Sequence, residues 1–263
     1  MRAARQTVLV HLTRFLDEQR LVELSDAGLL ERFATHRDDV SFAILVRRHG
    51  PMVLGLCRRL LGQQQDADDA FQAAFLVLAR RAGSLRNRSS LSAWLHGVAV
   101  RISSKARVAA SRRRQHEHRA GLARLDRQGD AEPQSESFAI LDEEMARLPE
   151  CFREPMVLCY LDGLTREEAA KRLALSPRTL KDRLERGRAM LRESLERRGV
   201  AGSAIAGLLA PPRIAVPSDL AGSAIRHAVE FAAGRGEIPR AVLTLAEGVL
   251  TKTLCLMSRR RFS

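Results

Sequence analysis

Aromatic side chains are scarce in these 263 residues: they make up 4%, with one Trp and one Tyr. That is too little surface for a sugar-binding cleft or a base-stacking RNA module, although Phe71 and Phe75 remain available. Cysteine is equally sparse. Cys57, Cys151, Cys159 and Cys255 are scattered and form no CxxC pair, which argues against a zinc site or a redox motif and for free thiols in a reducing cytoplasm. His116 and His118 have no further ligands nearby, so no metal is expected. No run of 18 uncharged apolar residues exists, so no membrane span is expected, and the basic N-terminus lacks the apolar core of a signal peptide. Nucleophile elbow, phosphate loop and dinucleotide fingerprint are all missing, and Ser103-Ser104-Lys105 gives no S-x-x-K pattern. Neither an enzyme, a cofactor nor a small-molecule substrate is expected.

What the chain has in excess is positive charge. Lys+Arg number 44 against 31 Asp+Glu, a net charge of +13 with pI near 11.0. A polyanion partner follows, nucleic acid or an anionic membrane surface. Ala, Leu and Arg dominate and β-branched runs are few, which favours an all-α fold.

Composition divides the chain. Residues 1–24 read as a short amphipathic helix or loose arm. Residues 25–108 carry helical apolar periodicity sufficient for their own core: Leu29, Leu30 and Phe33 after Ser25-Asp26, then Phe42, Leu45 and Val46 after Asp38 or Asp39. A further helix runs from Pro51 to Leu61 and ends at Gly62. The next begins at Asp66 and closes at Gly83-Ser84, and Ser89-Ser90 caps one containing Trp94, Leu95, Val98 and Ile102. Residues 109–137 turn to Arg, Gly, Asp, Gln, Pro and Ser, a flexible linker by composition. Residues 138–198 form a second helical block. Residues 199–263 are an Ala-rich, partly helical tail in which Ala-Gly-Ser-Ala-Ile occurs twice, read as low complexity. Its last stretch places Leu243, Ala246, Leu250, Leu254 and Met257 on one stripe before Arg259, Arg260 and Arg261. That stripe suits a membrane surface or a partner protein, and equally a helix folded back on its own chain.

The most informative stretch is 164–192. Thr165 with Glu168 three residues on is a capping box, and Ala169, Ala170 and Leu173 share one side of the helix it opens. Ala174-Leu175-Ser176 makes a tight turn. Ser176 caps a second helix with Pro177 at its first position. Leu180, Leu184 and Leu191 form its apolar stripe, while Arg178, Lys181, Arg183, Arg186 and Arg188 occupy other faces. Over 165–198 there are 11 Lys+Arg against 6 Asp+Glu. A helical hairpin with a solvated charged face is the plain alternative, but the paired caps and short turn favour a helix-turn-helix whose second helix enters a DNA major groove.

Two further constellations stand in the first block. Asp66-Ala-Asp-Asp has three readings. As an acid or metal site it is like the proton-donating motif of some terpene cyclases, but those need an aromatic cavity this chain cannot build. It is otherwise a plain acidic helix start or a docking face for a basic partner, and one stretch can be both. The second is a basic zone over 101–124, with 8 Lys+Arg against one Glu, following the helix of Trp94. Trp94 is either a stacking platform or, by preference, a core residue.

Together these residues resemble a known family. An Asp-Ala-Asp-Asp-Ala-Phe-Gln-Ala-Ala-Phe-Leu-Val-Leu core, Trp94-Leu95, a linker, Leu148-Pro149-Glu150 and the helix-turn-helix come in the order found in bacterial RNA polymerase sigma factors of the extracytoplasmic-function (ECF) type. The resemblance covers about 25–198 and implies two small helical domains, sigma regions 2 and 4, joined by a flexible linker. It implies core RNA polymerase and promoter DNA as partners, cytoplasmic location, and direction of transcription initiation. By the same resemblance Asp66, Asp68, Asp69, Gln72 and Phe75 would dock on the polymerase clamp. Trp94, Arg101, Ser104 and Lys105 would open and read the −10 element. Ser176, Arg178, Thr179, Lys181, Arg183, Arg186 and Arg188 would read the −35 element. Asp68 stands where the family usually has Glu, and Arg178 where it often has Gly. Asp182, an acid on the reading helix, must point to a base edge, pair with Arg178 or Arg186, or weaken −35 binding. The tail resembles the extended versions found in planctomycete-type bacteria and would serve an anti-sigma or other regulatory partner. A stand-alone helix-turn-helix regulator that never touches polymerase is the alternative.

Overall fold

Four phenylalanines anchor the first block. In the computed structural model, which describes residues 21–85, 90–119, 133–200 and 214–259, Phe33, Phe42, Phe71 and Phe75 are fully buried. The Phe33 and Phe42 rings lie 4.5 Å apart, Phe71 and Phe75 5.0 Å, and Phe42 meets Phe75 edge-on at 6.3 Å. Burying a side chain of this size stabilises by roughly 1.5–3 kcal/mol. The rings come from α1 (Asp26–His36), α2 (Asp39–Leu61) and α3 (Gln64–Leu85), and α4 (Leu91–Arg119) completes the bundle through Leu95, Val98 and Ile102. Local chemistry sets the boundaries. Ser25 Oγ accepts from Gly28 N, Asp38 accepts from Val40 N and Ser41 N, and Gly62 ends α2 at φ +69°, a conformation that favours glycine.

Three boundaries differ from the sequence expectation. α2 opens at Asp39 under the Asp38 cap as expected, but no new helix begins at Pro51, because α2 runs unbroken through it. Its Leu45, Val46, Val53 and Leu54 are buried on either side of the proline, and that core contact outweighs one lost backbone bond. This helix is long and apolar enough to cross a membrane, but most of its surface lies inside the bundle. The other two boundaries border the stretch that composition assigns to the linker: α4 continues to Arg119, and the following helix already begins at Pro133.

The second block comprises α5 (Pro133–Arg147), α6 (Glu150–Met156), a π-helical turn at Val157–Leu161, α7 (Arg166–Arg172) and α8 (Pro177–Arg197). In the π turn Asp162 N reaches back to Val157 O at 3.0 Å. The two blocks pack on one another, α5 lying against α2 and α4.

The tail folds back on the first block. α9 (Ser218–Ala232) and α10 (Arg240–Arg259) both pack on α3. Leu220, Ala224, Ala228 and Ala232, four residues apart, are the buried stripe of α9. On α10 the buried face is Val242, Ala246 and Val249, with Leu243 and Leu250 at its margin, so the apolar stripe is turned slightly from the expected one. Of the alternatives for that stripe, the helix folded on its own chain is the one found. The arm before 21, His116, His118, Leu254, Met257 and Cys255 lie outside the residues or side chains described. Among the described residues no strand occurs and the fold is all-α.

Candidate nucleic-acid and partner interfaces

The helix-turn-helix is held by two caps. Thr165 Oγ1 accepts from Glu168 N at 3.2 Å, and Thr165 N donates back to Glu168 Oε2 at 2.8 Å. Thr165 lowers the Glu168 carboxyl below its ordinary range through these backbone and side-chain bonds. Ser176 Oγ accepts from Thr179 N at 3.1 Å and shares a 2.8 Å bond with the Thr179 hydroxyl, so both side chains are engaged at the start of α8. Between the helices Ala174 sits at φ +51°, a left-handed conformation costly for a residue with a Cβ. Leu175 N donates to Ala170 O across the turn, which helps hold it. Sequence spacing marks the turn but not this strain.

α8 is buried along Leu180, Leu184, Gly187, Leu191 and Leu195. Arg178, Lys181 and Arg186 are exposed, whereas Thr179, Arg183 and Arg188 are half-buried. Arg188 Nε donates to Leu184 O at 3.3 Å, and Lys181 lies 3.9 Å from Glu185 on the surface. Asp182 is exposed and forms no ion pair with a described residue, so pairing with Arg178 or Arg186 is not realised in the free chain. Gly187 faces α6 closely: a Cβ there would stand 3.3 Å from Met156 Cγ and 3.4 Å from Phe152 Cβ.

On α4, Trp94, Arg101 and Lys105 follow one another at seven and four residues, near one helical face. Trp94 is half-buried against the core, in line with the core reading, while Arg101 is exposed with Nε donating to Gly97 O at 2.8 Å. Ser104 and Lys105 are half-buried.

The acidic face lies in the first turns of α3, where carboxylates meet the positive end of the helix. Asp66, Asp68, Asp69 and Gln72 are all half-buried. Asp66 is 4.0 Å from Arg113, and Gln65 Nε2 donates to Asp69 Oδ1 at 3.2 Å. Burial, with Asp66 and Asp68 nearby, raises the Asp69 carboxyl above its usual range. Phe75 differs from its predicted neighbours. It is fully buried against Phe42 and Phe71, so no partner can touch it in this conformation, and it supports α3 from beneath.

The structure also brings together residues that spacing could not pair. Asp26 accepts from Arg48 Nη1 at 2.6 Å and pairs with His49 at 3.0 Å and with Arg172 of α7. Burial alone would raise the Asp26 carboxyl, but the bond to His49 and the charges of His49 and Arg172 outweigh it and hold it well below the carboxylate range. Ser92 Oγ lies 3.2 Å from His49 Nδ1. Ser92, His49 and Asp26 thus form the order of a nucleophilic triad, yet Ser92 is only 1% exposed and Asp26 is held by two arginines. The arrangement joins the blocks rather than presenting a nucleophile. A second junction forms where Arg59 of α2 donates two-pronged to Asp142 of α5, with His96 Nε2 at 3.4 Å. The sequence marks Ser25-Asp26 only as a helix start, and no local signal points to Arg172 or Asp142.

Comparison with known proteins agrees with this layout. Residues 45–114 match the family Sigma-70 region 2, and residues 138–191 match Sigma-70, region 4. The chain is 32% identical over 169 residues to the ECF RNA polymerase sigma factor SigM of Mycobacterium tuberculosis, covering 64% of this chain and 84% of that one. It is 31% identical over 201 residues to the ECF RNA polymerase sigma factor SigE of Mycolicibacterium smegmatis, covering 71% and 75% respectively. The RNA polymerase sigma-H factor of Pseudomonas aeruginosa is 26% identical over 187 residues, 67% of this chain and 96% of that protein. With the two regions in order along the chain and the helix-turn-helix folded within the second, the chain belongs to the ECF family of RNA polymerase sigma factors.

Proposed function

We propose that this sigma factor directs core RNA polymerase to promoters through three surfaces. The acidic start of α3, with Asp66, Asp68, Asp69 and Gln72, docks on a basic face of the polymerase. Trp94, Arg101, Ser104 and Lys105 of α4 engage the −10 element. α8 reads the −35 element through Arg178, Lys181 and Arg186, with Ser176, Thr179, Arg183 and Arg188 positioning its first turns or contacting phosphate. Residues 25–108 and 138–198 are the two working domains, and the chain acts in the cytoplasm by binding rather than catalysis. The tail, 199–263, is an extension of the planctomycete kind that serves regulation, through an anti-sigma partner or otherwise.

The observation that carries the DNA reading is the doubly capped helix-turn-helix, which buries Leu180, Leu184 and Leu191 and leaves Arg178, Lys181 and Arg186 open to a groove. Each block alone would hold DNA weakly. Joined on polymerase they meet two promoter elements at once, which raises effective concentration.

In vitro transcription with core enzyme and mapping of start sites tests the reading. Arg178 stands near the N-terminus of α8, where recognition helices reach base edges. Arg178→Ala should weaken −35 recognition by about 1–3 kcal/mol. Unchanged promoter selectivity and affinity would remove Arg178 from the interface.

A further inference from the structure

We propose that α9 and α10 are a built-in cover for the polymerase-docking face, so that the free chain is closed and core polymerase must displace its tail to bind. The inference rests on reading the start of α3 as that docking face. Each polar residue of the face has a tail residue beside it or shares a cavity with the tail. His227 Nδ1 of α9 donates to Gln72 Oε1 at 2.8 Å. Burial raises the Asp68 carboxyl against the pull of Arg58, and the charge of Asp219 on α9 adds to the rise. Asp66 and Asp69 line a cavity of about 400 Å³ together with Arg113 of α4 and Arg240, Ala241 and Thr244 of α10.

The cover extends beyond the acids. Val216, just before α9, lies 3.0 Å from where a Cβ on Gly50 would stand. At the far end of α3, Arg80 lies over the Phe231 ring at 6.0 Å and Arg81 Nη2 donates to Leu250 O at 3.4 Å. α10 also reaches the α4 helix assigned to the −10 element: a Cβ on Gly248 would stand 2.7 Å from Lys105 Nζ. One folded-back tail thus occupies two of the three proposed working surfaces.

The fit is incomplete in a way that favours exchange. Asp68 Oδ1 is buried without a hydrogen-bond partner among the described residues; Arg58 and Gln64 of its own block favour the ionised carboxyl, but the tail charge acting on it is another carboxylate, Asp219. A buried acceptor without a donor is costly. A basic partner would supply that donor, and the tail does not. Meanwhile Leu220, Ala224 and Ala228 hold α9 down by contact area alone, which a larger partner surface can replace.

Hydrogen exchange on the full chain, alone and bound to core RNA polymerase, is the direct test. Amides of α9 should be protected in the free chain and lose protection in the complex, while α3 stays protected. An α9 that keeps its protection in the complex overturns the cover. A second measurement uses Ala228→Arg, which drives a charge into the α9–α3 contact without touching α3. If the closed state is populated about ten to one, affinity for core enzyme should rise about tenfold. A folded variant with unchanged affinity overturns the proposal. Adding Asp69→Arg in that background separates the two ideas. Binding that is then lost supports the docking face, whereas binding that survives removes the docking face itself, whatever the tail does.

Discussion

The contact between regions 2 and 4 is built from buried charge, while the contact between the tail and region 2 is built from small apolar residues. In the first, Asp26, Asp142 and His49 are nearly inaccessible and are matched by Arg48, Arg59 and Arg172. In the second, Ala224 and Ala228 of α9 are fully buried against α3, with polar contacts between His227 and Gln72 and between Arg81 and the Leu250 carbonyl at the edges. The materials do different work. Buried ion pairs lose as much in desolvation as they gain in attraction, so they add little net stability, but they fix one relative orientation and penalise every other. Apolar burial is undirected and scales with area. Region 4 is therefore held in register, and the tail is held down.

Removing one side of the charged contact has the largest expected effect. Asp26→Ala removes the carboxylate that Arg48, His49 and Arg172 share and leaves His49 and Arg172 only the raised carboxyl of Asp162 nearby. Breaking a buried pair in this way costs about 3–5 kcal/mol. Urea denaturation at neutral pH measures it, and a loss under about 1 kcal/mol would show that water already solvates the cluster.

Acid should distinguish the two contacts next. The Asp26 carboxyl is depressed in the folded chain, so its contribution is present above the unfolded carboxylate value, about 3.9, and is lost as pH falls below that toward the folded value. Asp162, just after the π turn, works in the opposite sense. Burial raises its carboxyl despite His49 and Ser92, so its contribution is present at low pH and fades as pH rises through the folded value. Asp26 has the more strongly shifted carboxyl, so the net effect is acid loosening between the regions while α9 stays on α3. Hydrogen exchange along an acid titration reads both contacts at once. Tail and region 4 releasing together would mean that the two contacts are one cooperative unit.

The smallest effect belongs to the rim of the charged contact. Arg107 of α4 meets Glu143 of α5 at 2.6 Å, but its side chain is 45% exposed. Arg107→Ala should cost no more than about 1 kcal/mol, and less at high salt. A loss as large as that of Asp26→Ala would relocate the centre of the interface to its edge.

The same contrast explains what the sequence could and could not tell. Caps are local, so Ser25, Thr165 with Glu168, Ser176 with Pro177 and Gly62 are readable from neighbouring residues, and with them the helix-turn-helix. The acidic start of α3 is readable for the same reason. The helix break expected at Pro51 is absent because burial on both sides of it overrides a local preference. Phe75 follows the acids by helical spacing but points the other way, into the ring cluster with Phe42. Asp26 and Arg172 are 146 residues apart, and Gln72 and His227 are 155 apart. No periodicity relates such partners, so the charged clasp and the folded-back tail emerge only from the assembled chain.

Gly187 gives α8 a fulcrum. α8 rests on Met156 and Phe152 at a point where the chain offers only a hydrogen atom, and from there its basic tip projects ten residues toward Ser176, roughly 15 Å away at the helical rise. A lever amplifies whatever happens at its pivot. The angle at which Arg178 and Lys181 are presented is thus calibrated by the smallest side chain in the helix, buried against α6.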